Sequence, residues 1–394
     1  MKEVYIIDGV RTPFGSFLGE LSEISPKALA KVVMKEIVER NHLLPEEIDE
    51  IIASISNQPT NETNIGRTAA LELNYPDKIP AYTVNRNCGS GLQAVYNAFQ
   101  SIRADESSIN LVVGVENMSQ WPYLLRGTRK GFKMNHQQLV DSLTESLTDP
   151  VVGLMMGETA EIIAEQWNIT REEQDEFAYQ SHKKAIQARD RVFFQKEIVP
   201  ITKQLPNETV TLDRDEGPKS SLSKEQLSLL KPVFKKGGTV TAGNACGLND
   251  GAGAMLLADE KSVKEQRLKA RAKIRSVAFV GLEPERMGLG PAYAVPEALR
   301  KAGLSLDDVD VIELNEAFAA QALACMKMLE LDPQKVNRNG GAIAIGHPIG
   351  ATGIRLLTTL INTLEEENKR IGVATLCIGG GLGGAVVIEN VSYR

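Results

Sequence analysis

Hydrophobic and polar positions follow one another along the chain in a series that occurs twice. Each series begins with acidic residues and an apolar strand, continues through a turn with Asn and Gly into an amphipathic helix, and ends in a buried strand. The first series occupies residues 46–56, 81–104 and 109–119, and the second occupies 307–328, 336–364 and 369–390. Both contain the tetrapeptide VNRN, so the pattern predicts a duplicated α/β body.

The region between the two series, about residues 120 to 250, has a different character. It holds long helical segments and a polar stretch, and Thr170 with Glu173 three residues later forms a capping box that predicts a helix start. We interpret this region as an insertion that covers one end of both halves, where substrate contacts collect. The predicted units are an N-terminal half (1–119 and 250–269), an inserted loop domain (120–249) and a C-terminal half (270–394).

Composition narrows the class of protein. The 394 residues are 42% hydrophobic and 24% charged, and no apolar stretch reaches the ~18 residues of a membrane span. The opening MKEVYIIDG is strand-like and shows no leader pattern, so we expect a cytoplasmic chain that does not associate with membranes. A net charge of −7 argues against a nucleic-acid partner.

Charge is distributed unevenly within this acidic chain. Between residues 219 and 236, five lysines stand against Glu225 alone. Such a run could meet phosphates, and it could equally be a solvated face. The lysines are Lys219, Lys224, Lys231, Lys235 and Lys236.

Cysteine and histidine are few and widely spaced. The four cysteines lie at 88, 246, 325 and 377 with no CxxC pair, and the four histidines, at 42, 136, 182 and 347, are far apart in sequence. These spacings predict neither a structural zinc site nor a disulfide scaffold. We therefore expect no bound metal, and the most common role of such a cysteine is burial in the core.

Two stretches in corresponding positions of the two series could carry chemistry. In VNRNCGSGLQAV, Cys88 lies between a strand end and a helix start, where free N–H groups and the helix dipole favour a thiolate. In GGAIAIGHPIGATG, His347 precedes Pro348, which suits a first helical turn. Twofold pseudosymmetry would bring both together, and imidazole activates a thiol. The alternatives are a packing turn at Cys88 and an incidental histidine.

Three further stretches place polar or small residues at predicted strand ends. CIGGGLGGA brings Cys377 beside backbone N–H groups that could stabilise an oxyanion, or it is a turn after a buried strand. NEAFAAQ places Asn315 where a strand gives way to a helix, a position that also suits an N-cap. TVTAGNACGLNDGAGAMLL is rich in small residues and suits a loop close to a ligand or packed on the core.

Taken together and in this order, these stretches resemble the signature blocks of the thiolases, the acyl-CoA acetyltransferases, over essentially the whole chain. The resemblance implies a five-layered αβαβα fold of two similar halves with an inserted loop domain. It implies reversible Claisen condensation of two acetyl-CoA to acetoacetyl-CoA and CoA, or the reverse thiolysis, with ping-pong kinetics. It also implies CoA and acyl-CoA as substrates, no tightly bound cofactor, and a homotetramer or homodimer.

The resemblance also implies a role for individual residues. Cys88 would be the acylated nucleophile, His347 its base and Cys377 the second acid and base. Asn315, through a water, and His347 would form one oxyanion hole, and the N–H groups of Cys88 and Gly379 the other. Lys219 would lie near the CoA adenine. The residues expected along the pantetheine tunnel or near the acyl group are Met155, Met156, Phe234, Ala245, Cys246, Met287 and Phe318.

Three positions depart from the family pattern. Cys246 stands where many relatives have serine, and Lys219 where many have arginine, which loses planar stacking on adenine. Met155 stands where many short-chain enzymes have histidine, and Leu154 where an aromatic residue is common. The last two changes make the tunnel wall more apolar and leave the acyl length open.

Four other readings compete with an acetyl-CoA acetyltransferase. The first is a broader-chain 3-ketoacyl-CoA thiolase of fatty-acid β-oxidation. The second is a ketoacyl synthase-like condensing enzyme. Cys377 and the NEAFA block favour a thiolase over this class. The third is a non-catalytic acyl-CoA or lipid binder, which is expected to lose catalytic residues that this chain keeps. A papain-like hydrolase would explain neither the duplicated halves nor Cys377.

Overall fold

The structure, a computed structural model, describes residues 2–204 and 208–393. Its strands are β1 (Val4–Arg11), β2 (Gly15–Ser16), β3 (Glu50–Ser54), β4 (Ala81–Val84), β5 (Ile109–Asn117), β6 (Tyr123–Leu124), β7 (Val140–Asp141), β8 (Ile201–Gln204), β9 (Thr209–Leu212), β10 (Asn249–Asp259), β11 (Ala272–Gly281), β12 (Val311–Leu314), β13 (Ile371–Ile378) and β14 (Leu382–Asn390). Its α-helices are α1 (Pro26–Arg40), α2 (Ile65–Glu72), α3 (Ser90–Arg103), α4 (Ser142–Ser146), α5 (Met156–Gln166), α6 (Arg171–Asp190), α7 (Lys224–Ser228), α8 (Glu260–Glu265), α9 (Gly290–Ala302), α10 (Ala319–Met328), α11 (Ala342–Ile345) and α12 (Ile349–Glu366).

The main sheet consists of two half-sheets joined edge to edge. Its strand order is β12-β13-β14-β11-β1-β10-β5-β3-β4, and β2 pairs with β10 outside this path. The halves meet at β1 and β11, whose antiparallel ladder is only two residues long, with Tyr5 opposite Lys273 and Ile6 opposite Ala272. Because only two residue pairs join them, each half-sheet can pack against its own set of helices.

The two half-sheets repeat one another. The order β1-β10-β5-β3-β4 corresponds to β11-β14-β13-β12, with a single bridge from Val336 to Ile312 where β4 pairs with β3. The aspartates before β3 and β12 make the same contact: Asp49 N donates to Ile109 O at 2.9 Å, and Asp310 N donates to Ile371 O at 2.9 Å. The duplication predicted from the hydrophobic pattern is confirmed down to this hydrogen bond.

Three apolar cores define five layers. One core packs α1 and α2 on the β1-to-β4 half, a second encloses α3 and α12 between the halves, and a third packs α9 and α10 on the β11-to-β12 half. The resulting order is helix, sheet, helix, sheet, helix. This is the αβαβα fold that the sequence led us to expect.

The two central helices touch near their N-terminal ends at a pair of glycines. A Cβ on Gly353 of α12 would lie 2.3 Å from Leu92 N, and one on Gly91 of α3 would lie 3.0 Å from Gly353 N. Only residues without a Cβ permit this approach. Because the loops before α3 and α12 carry Cys88 and His347, the contact brings these loops side by side.

Residues 120–249 contribute α4 to α7 and two small hairpins, β6-β7 and β8-β9. Within this region α6 begins at the predicted capping box of Thr170 and Glu173. Fully buried Arg11 of β1 fastens the region to the main sheet through Glu197 at 2.7 Å and Asp215 at 2.6 Å. Among the helices that the structure describes, we find none long and apolar enough to cross a membrane.

Candidate active site

Cys88 lies on a tightly fixed turn between β4 and α3. The helix begins at Ser90 with Gly89 as its N-cap, so Cys88 precedes the helix rather than opening it. Asn87 adopts a left-handed φ of 47°, and its side-chain amide donates to Gly379 O at 3.0 Å. Ser90 Oγ donates to Asn87 O at 2.6 Å. The turn thus presents the Cys88 sulfur while being held from both halves of the molecule.

Two opposing effects act on the pKa of Cys88. Burial raises the pKa of the Cys88 thiol, and the N–H groups of Gly379 and of Cys88 itself partly offset this rise by pointing at the sulfur. The backbone N–H groups thus favour the thiolate, but the loss of hydration on burial outweighs them. Cys88 is a thiol at rest and needs a base.

His347 is oriented by its surroundings to serve as that base. Its backbone N–H donates to Asn249 Oδ1 at 2.9 Å, and its Nδ1 lies 2.6 Å from Thr352 Oγ1. The Thr352 hydroxyl donates its one proton to Pro348 O at 2.9 Å, so Nδ1 carries the proton and Nε2 has a free lone pair. Pro348 is the N-cap of α12, one position before the expected first turn.

The free nitrogen of His347 has the properties of an unprotonated base. Among the described residues, His347 Nε2 has no hydrogen-bond partner. Burial, with a smaller contribution from the nearby Arg355 guanidinium, lowers the pKa of His347 to about 3. The imidazole is therefore neutral at physiological pH.

Two further thiols lie near Cys88. Burial raises the pKa of Cys377, the next-to-last residue of β13, well above its ordinary value, and the neighbouring sulfurs raise it further. Burial raises the pKa of Cys246 to about 12. Both thiols hold their protons at neutral pH, so Cys377 is ready to act as an acid.

A cavity of about 130 Å³, which we term the catalytic cavity, joins these groups. One wall forms where the loop before β10 meets the segment before α10, through a bridge between Ala245 and Phe318 and a bond of 3.0 Å from Cys246 N to Ala317 O. The predicted site residues that line it are Cys88, Met155, Met156, Phe234, Ala245, Cys246, Met287, Phe318, His347 and Cys377.

Three predicted site residues lie outside this cavity. Asn315 follows β12 directly and is fully buried, but the N-cap of α10 is Phe318, so the N-cap interpretation of Asn315 is wrong. Within the part of the chain that the structure describes, neither polar atom of the Asn315 side chain has a hydrogen-bond partner. Gly379 lies on a neighbouring cavity described below.

Lys219 lies apart, in a pocket of about 160 Å³ beside α6. Its backbone N–H donates to His182 Nδ1 at 3.2 Å, and its side chain is exposed. Two other lysines of the run are engaged elsewhere: Lys224 pairs with Glu176 and Lys235 with Glu165. Lys219 is in no salt bridge with any described residue, and none of the cysteines lines its pocket.

A second cavity, of about 420 Å³, also has Cys88 in its lining, and we term it the side cavity. It shares Cys88, Leu147, Met156 and Ile349 with the catalytic cavity. The sequence did not indicate it, although Leu147 and Val151 are apolar residues in a polar segment. Thr352 was also missed; its only signal was a threonine one turn after Pro348.

No group of three or more His, Cys, Asp or Glu side chains suited to a metal ion occurs within residues 2–204 and 208–393.

Comparison with known proteins shows the family to which the chain belongs. The sequence profile of the family described as "Thiolase, N-terminal domain" matches residues 4–261, and that of "Thiolase, C-terminal domain" matches residues 268–390. The chain belongs to the thiolase family. As a thiolase, it is an acyltransferase.

Individual relatives span several activities. A β-ketoadipyl-CoA thiolase of Acinetobacter baylyi is 44% identical over 402 residues, covering 99% of this chain and 100% of the relative. The crystal structure of the Bacillus anthracis acetyl-CoA acetyltransferase has a TM-score of 0.97 at 44% identity and covers 99% of each chain. Human mitochondrial 3-ketoacyl-CoA thiolase in complex with CoA has a TM-score of 0.95 at 40% identity and covers 99% of this chain and 98% of the human chain.

Proposed function

We propose that this thiolase is an acetyl-CoA C-acetyltransferase that interconverts two acetyl-CoA with acetoacetyl-CoA and CoA. The observation that carries the proposal is a single cavity lined by three thiols and a neutral imidazole whose Nε2 has no hydrogen-bond partner among the described residues. The structural likeness to an acetyl-CoA acetyltransferase supports the choice of acetyl group.

In the first half-reaction of thiolysis, His347 Nε2 takes the Cys88 proton as Sγ attacks the ketone carbon of the 3-ketoacyl-CoA. The bond between C2 and C3 breaks, the acyl group stays on Cys88 as a thioester, and acetyl-CoA leaves as a carbanion. Cys377 protonates that carbanion. The raised pKa of Cys377 suits this role, because its thiol holds the proton until the carbanion forms.

In the second half-reaction, a CoA thiol gives its proton to the Cys377 thiolate and attacks the Cys88 thioester. The Cys88 sulfur leaves and recovers its proton from His347, which restores the resting enzyme. Two half-reactions through one covalent intermediate imply ping-pong kinetics. Condensation of two acetyl-CoA follows the same steps in reverse.

Negative charge develops on two oxygens in this mechanism, the oxyanion formed at Cys88 and the enolate oxygen of acetyl-CoA, and each needs hydrogen-bond donors. The N–H groups of Gly379 and Cys88 already point at the Cys88 sulfur, so they are placed to stabilise an oxyanion formed there. Asn315 has an unpaired side-chain amide, and buried polar atoms normally have partners. We assign it, with a water and His347, to the enolate oxygen of acetyl-CoA.

CoA enters this scheme as a substrate and not as a resident cofactor. We assign the pantetheine arm to the wall formed by Phe234, Ala245, Cys246 and Phe318, and the nucleotide end to Lys219 in the proposed inserted domain. A homodimer or homotetramer in the cytoplasm completes the proposal.

A second candidate function is broader-chain 3-ketoacyl-CoA thiolysis. The observation that favours it is the side cavity, which offers space beyond the nucleophile for a chain longer than acetyl. The human mitochondrial 3-ketoacyl-CoA thiolase shares the fold over 99% of this chain.

CoA-dependent cleavage of acetoacetyl-CoA tests the proposed function. We expect turnover by the wild type and by Cys325→Ala, whose sulfur is buried in α10 and donates to Gly288 O at 3.2 Å outside the cavity. Cys88→Ala should lose turnover and the acyl-enzyme seen by intact-protein mass spectrometry. Activity in Cys88→Ala, or none in the wild type, would overturn the proposal.

A further inference from the structure

The side cavity opens from the nucleophile in a direction different from the catalytic cavity. We infer that it binds the acyl chain of the substrate, and that it accepts uncharged aliphatic 3-ketoacyl chains while rejecting chains that end in a carboxylate. The inference rests on the proposed function, because it assumes that Cys88 attacks the ketone carbon of a 3-ketoacyl-CoA.

The chemistry of that attack requires space on two sides of the sulfur. The ketone carbon carries the thioester and pantetheine on one side and the variable chain on the other. Four residues, Cys88, Leu147, Met156 and Ile349, line both cavities, so one molecule can extend through both past the sulfur. The side cavity, at about 420 Å³, falls within the roughly 300–1,000 Å³ of ordinary ligand pockets, whereas the catalytic cavity does not.

The wall of the side cavity is preformed. Trp121 donates from Nε1 to Glu116 Oε1 at 3.2 Å, and Glu116 Oε2 also accepts from Gly350 N at 3.0 Å. On the opposite side, Met156 N donates to Leu147 O at 2.9 Å and Asp149 N donates to Leu154 O at 2.8 Å. The first two bonds fix Trp121 near the start of α12 through Glu116, and the other two fix the segment from Leu147 to Met156 on itself.

The charges on this wall are of one sign. Its titratable acids are Glu145 and Asp149, and its lining, which lies wholly within the described residues, includes no Lys, Arg or His. Arg126 neutralises Glu145 at 2.5 Å. Asp149 is 2% exposed; its Oδ1 accepts from Val151 N at 2.9 Å and Val152 N at 3.1 Å, and its Oδ2 has no hydrogen-bond partner in the described part of the chain. A chain ending in a carboxylate would meet this acid and no cation among the lining residues, whereas an alkyl chain would contact Trp121, Leu147 and Ile349.

Thr148→Phe tests the inference by filling the cavity from a half-buried lining position. Thr144→Phe is the matched control, because Thr144 is exposed, lies four residues earlier and does not line the cavity. The substrates are unbranched 3-ketoacyl-CoAs of four, six, eight and twelve carbons and the six-carbon dicarboxylate 3-ketoadipyl-CoA. Val151→Trp, at the exposed rim, is a second variant in case Thr148→Phe does not fold.

We expect the wild type to cleave the eight-carbon substrate, and Thr148→Phe to lower its kcat/KM by about tenfold or more relative to the four-carbon substrate. Thr144→Phe should leave that ratio unchanged. The wild type should cleave 3-ketoadipyl-CoA at least about tenfold less well than the uncharged six-carbon substrate.

Several results would overturn the inference. They are wild-type activity confined to four carbons, an unchanged chain-length ratio in a folded Thr148→Phe or Val151→Trp, or a preference for the dicarboxylate. Failure of the proposed function looks different, because the wild type would then cleave none of these substrates.

Discussion

The sulfur atoms around the catalytic cavity differ in what they can do at rest. Cys88 has two backbone N–H groups directed at it, whereas the pKa of Cys377 is raised by burial and by its neighbouring sulfurs. A sulfur that receives donors suits a nucleophile, and one that retains its proton suits an acid. The two cysteines should therefore be separable by experiment.

Cys377→Ser is expected to separate them. Acylation of Cys88 by acetyl-CoA should persist, because the CoA sulfur can leave as a thiolate without a proton from Cys377. Thiolysis and condensation should fall by about 10²–10⁴-fold, because a carbanion forms in both and needs the second acid and base. Intact-protein mass spectrometry measures the first step and steady-state kinetics the rest. Cys246→Ser, on the same cavity, should keep both steps; loss of acylation in Cys377→Ser would contradict the division of roles.

Thr352 acts through another residue, because its hydroxyl orients the imidazole of His347. Removing its hydroxyl in Thr352→Val leaves His347 Nδ1 without the partner that fixes the tautomer. We expect kcat to fall by at least about tenfold with a small change in KM, since proton transfer by a positioned base contributes 10²–10⁴-fold.

Two variants distinguish positioning from simple packing. Thr358→Val removes a hydroxyl with the same bond, to Ile354 O at 2.9 Å, from the same helix outside the site, so its kcat should stay near wild type. Thr352→Ser restores the hydroxyl and should recover most of the rate. Equal losses in Thr352→Val and Thr358→Val would assign Thr352 to packing alone.

At the scale of elements, the sequence was informative where a pattern repeats and poor where a boundary depends on tertiary contacts. The apolar strands and central helices repeat twice, so their existence and pairing could be predicted. The start of α10 could not, because Cys246 N and Ala245 bind the segment from Ala317 to Phe318 and keep it extended past Asn315. The side cavity likewise arises from Trp121, Leu147 and Ile349, which are distant in sequence.

The close contact between α3 and α12 predicts that an added methyl group at Gly353 would push the two helices apart. Gly353→Ala would place a methyl group 2.3 Å from Leu92 N, so the helices must separate. We expect unfolding free energy to fall by about 1–3 kcal/mol, as overpacking usually costs. Activity should fall further, since a misplacement of about 1 Å between Cys88 and His347 can cost 10²-fold.

Chemical denaturation and steady-state kinetics measure these two effects. Gly281→Ala is the control, because its added Cβ would find its nearest neighbour, Leu382, at 4.0 Å. If Gly353→Ala keeps wild-type stability and rate, the glycine contact does not set the distance between the two loops.

At the scale of the whole molecule, the net charge of the protein has the same sign as that of the CoA substrate. A chain of −7 repels CoA, itself an anion, so favourable encounter depends on where the cations lie. Lys224 and Lys235 are paired with carboxylates, whereas Lys219 lines a pocket and is in no salt bridge with a residue that the structure describes. Of the three lysines of the run that remain, Lys219, Lys231 and Lys236, we choose Lys219 to test a phosphate contact against a solvated face, because it lines a pocket.

Lys219→Glu tests this electrostatic role against an effect of net charge alone. We expect KM for CoA to rise by about two- to tenfold with kcat unchanged, because an exposed charge contributes up to about 1 kcal/mol and reversal also adds repulsion. Lys261→Glu makes the same change in net charge on α8, where the lysine is exposed and lies 3.9 Å from Glu265, and should leave KM near wild type. Raising ionic strength should increase the wild-type KM and narrow its difference from Lys219→Glu, since salt screens exposed charges. Equal KM values in the two variants at low salt would return Lys219 to the solvated surface.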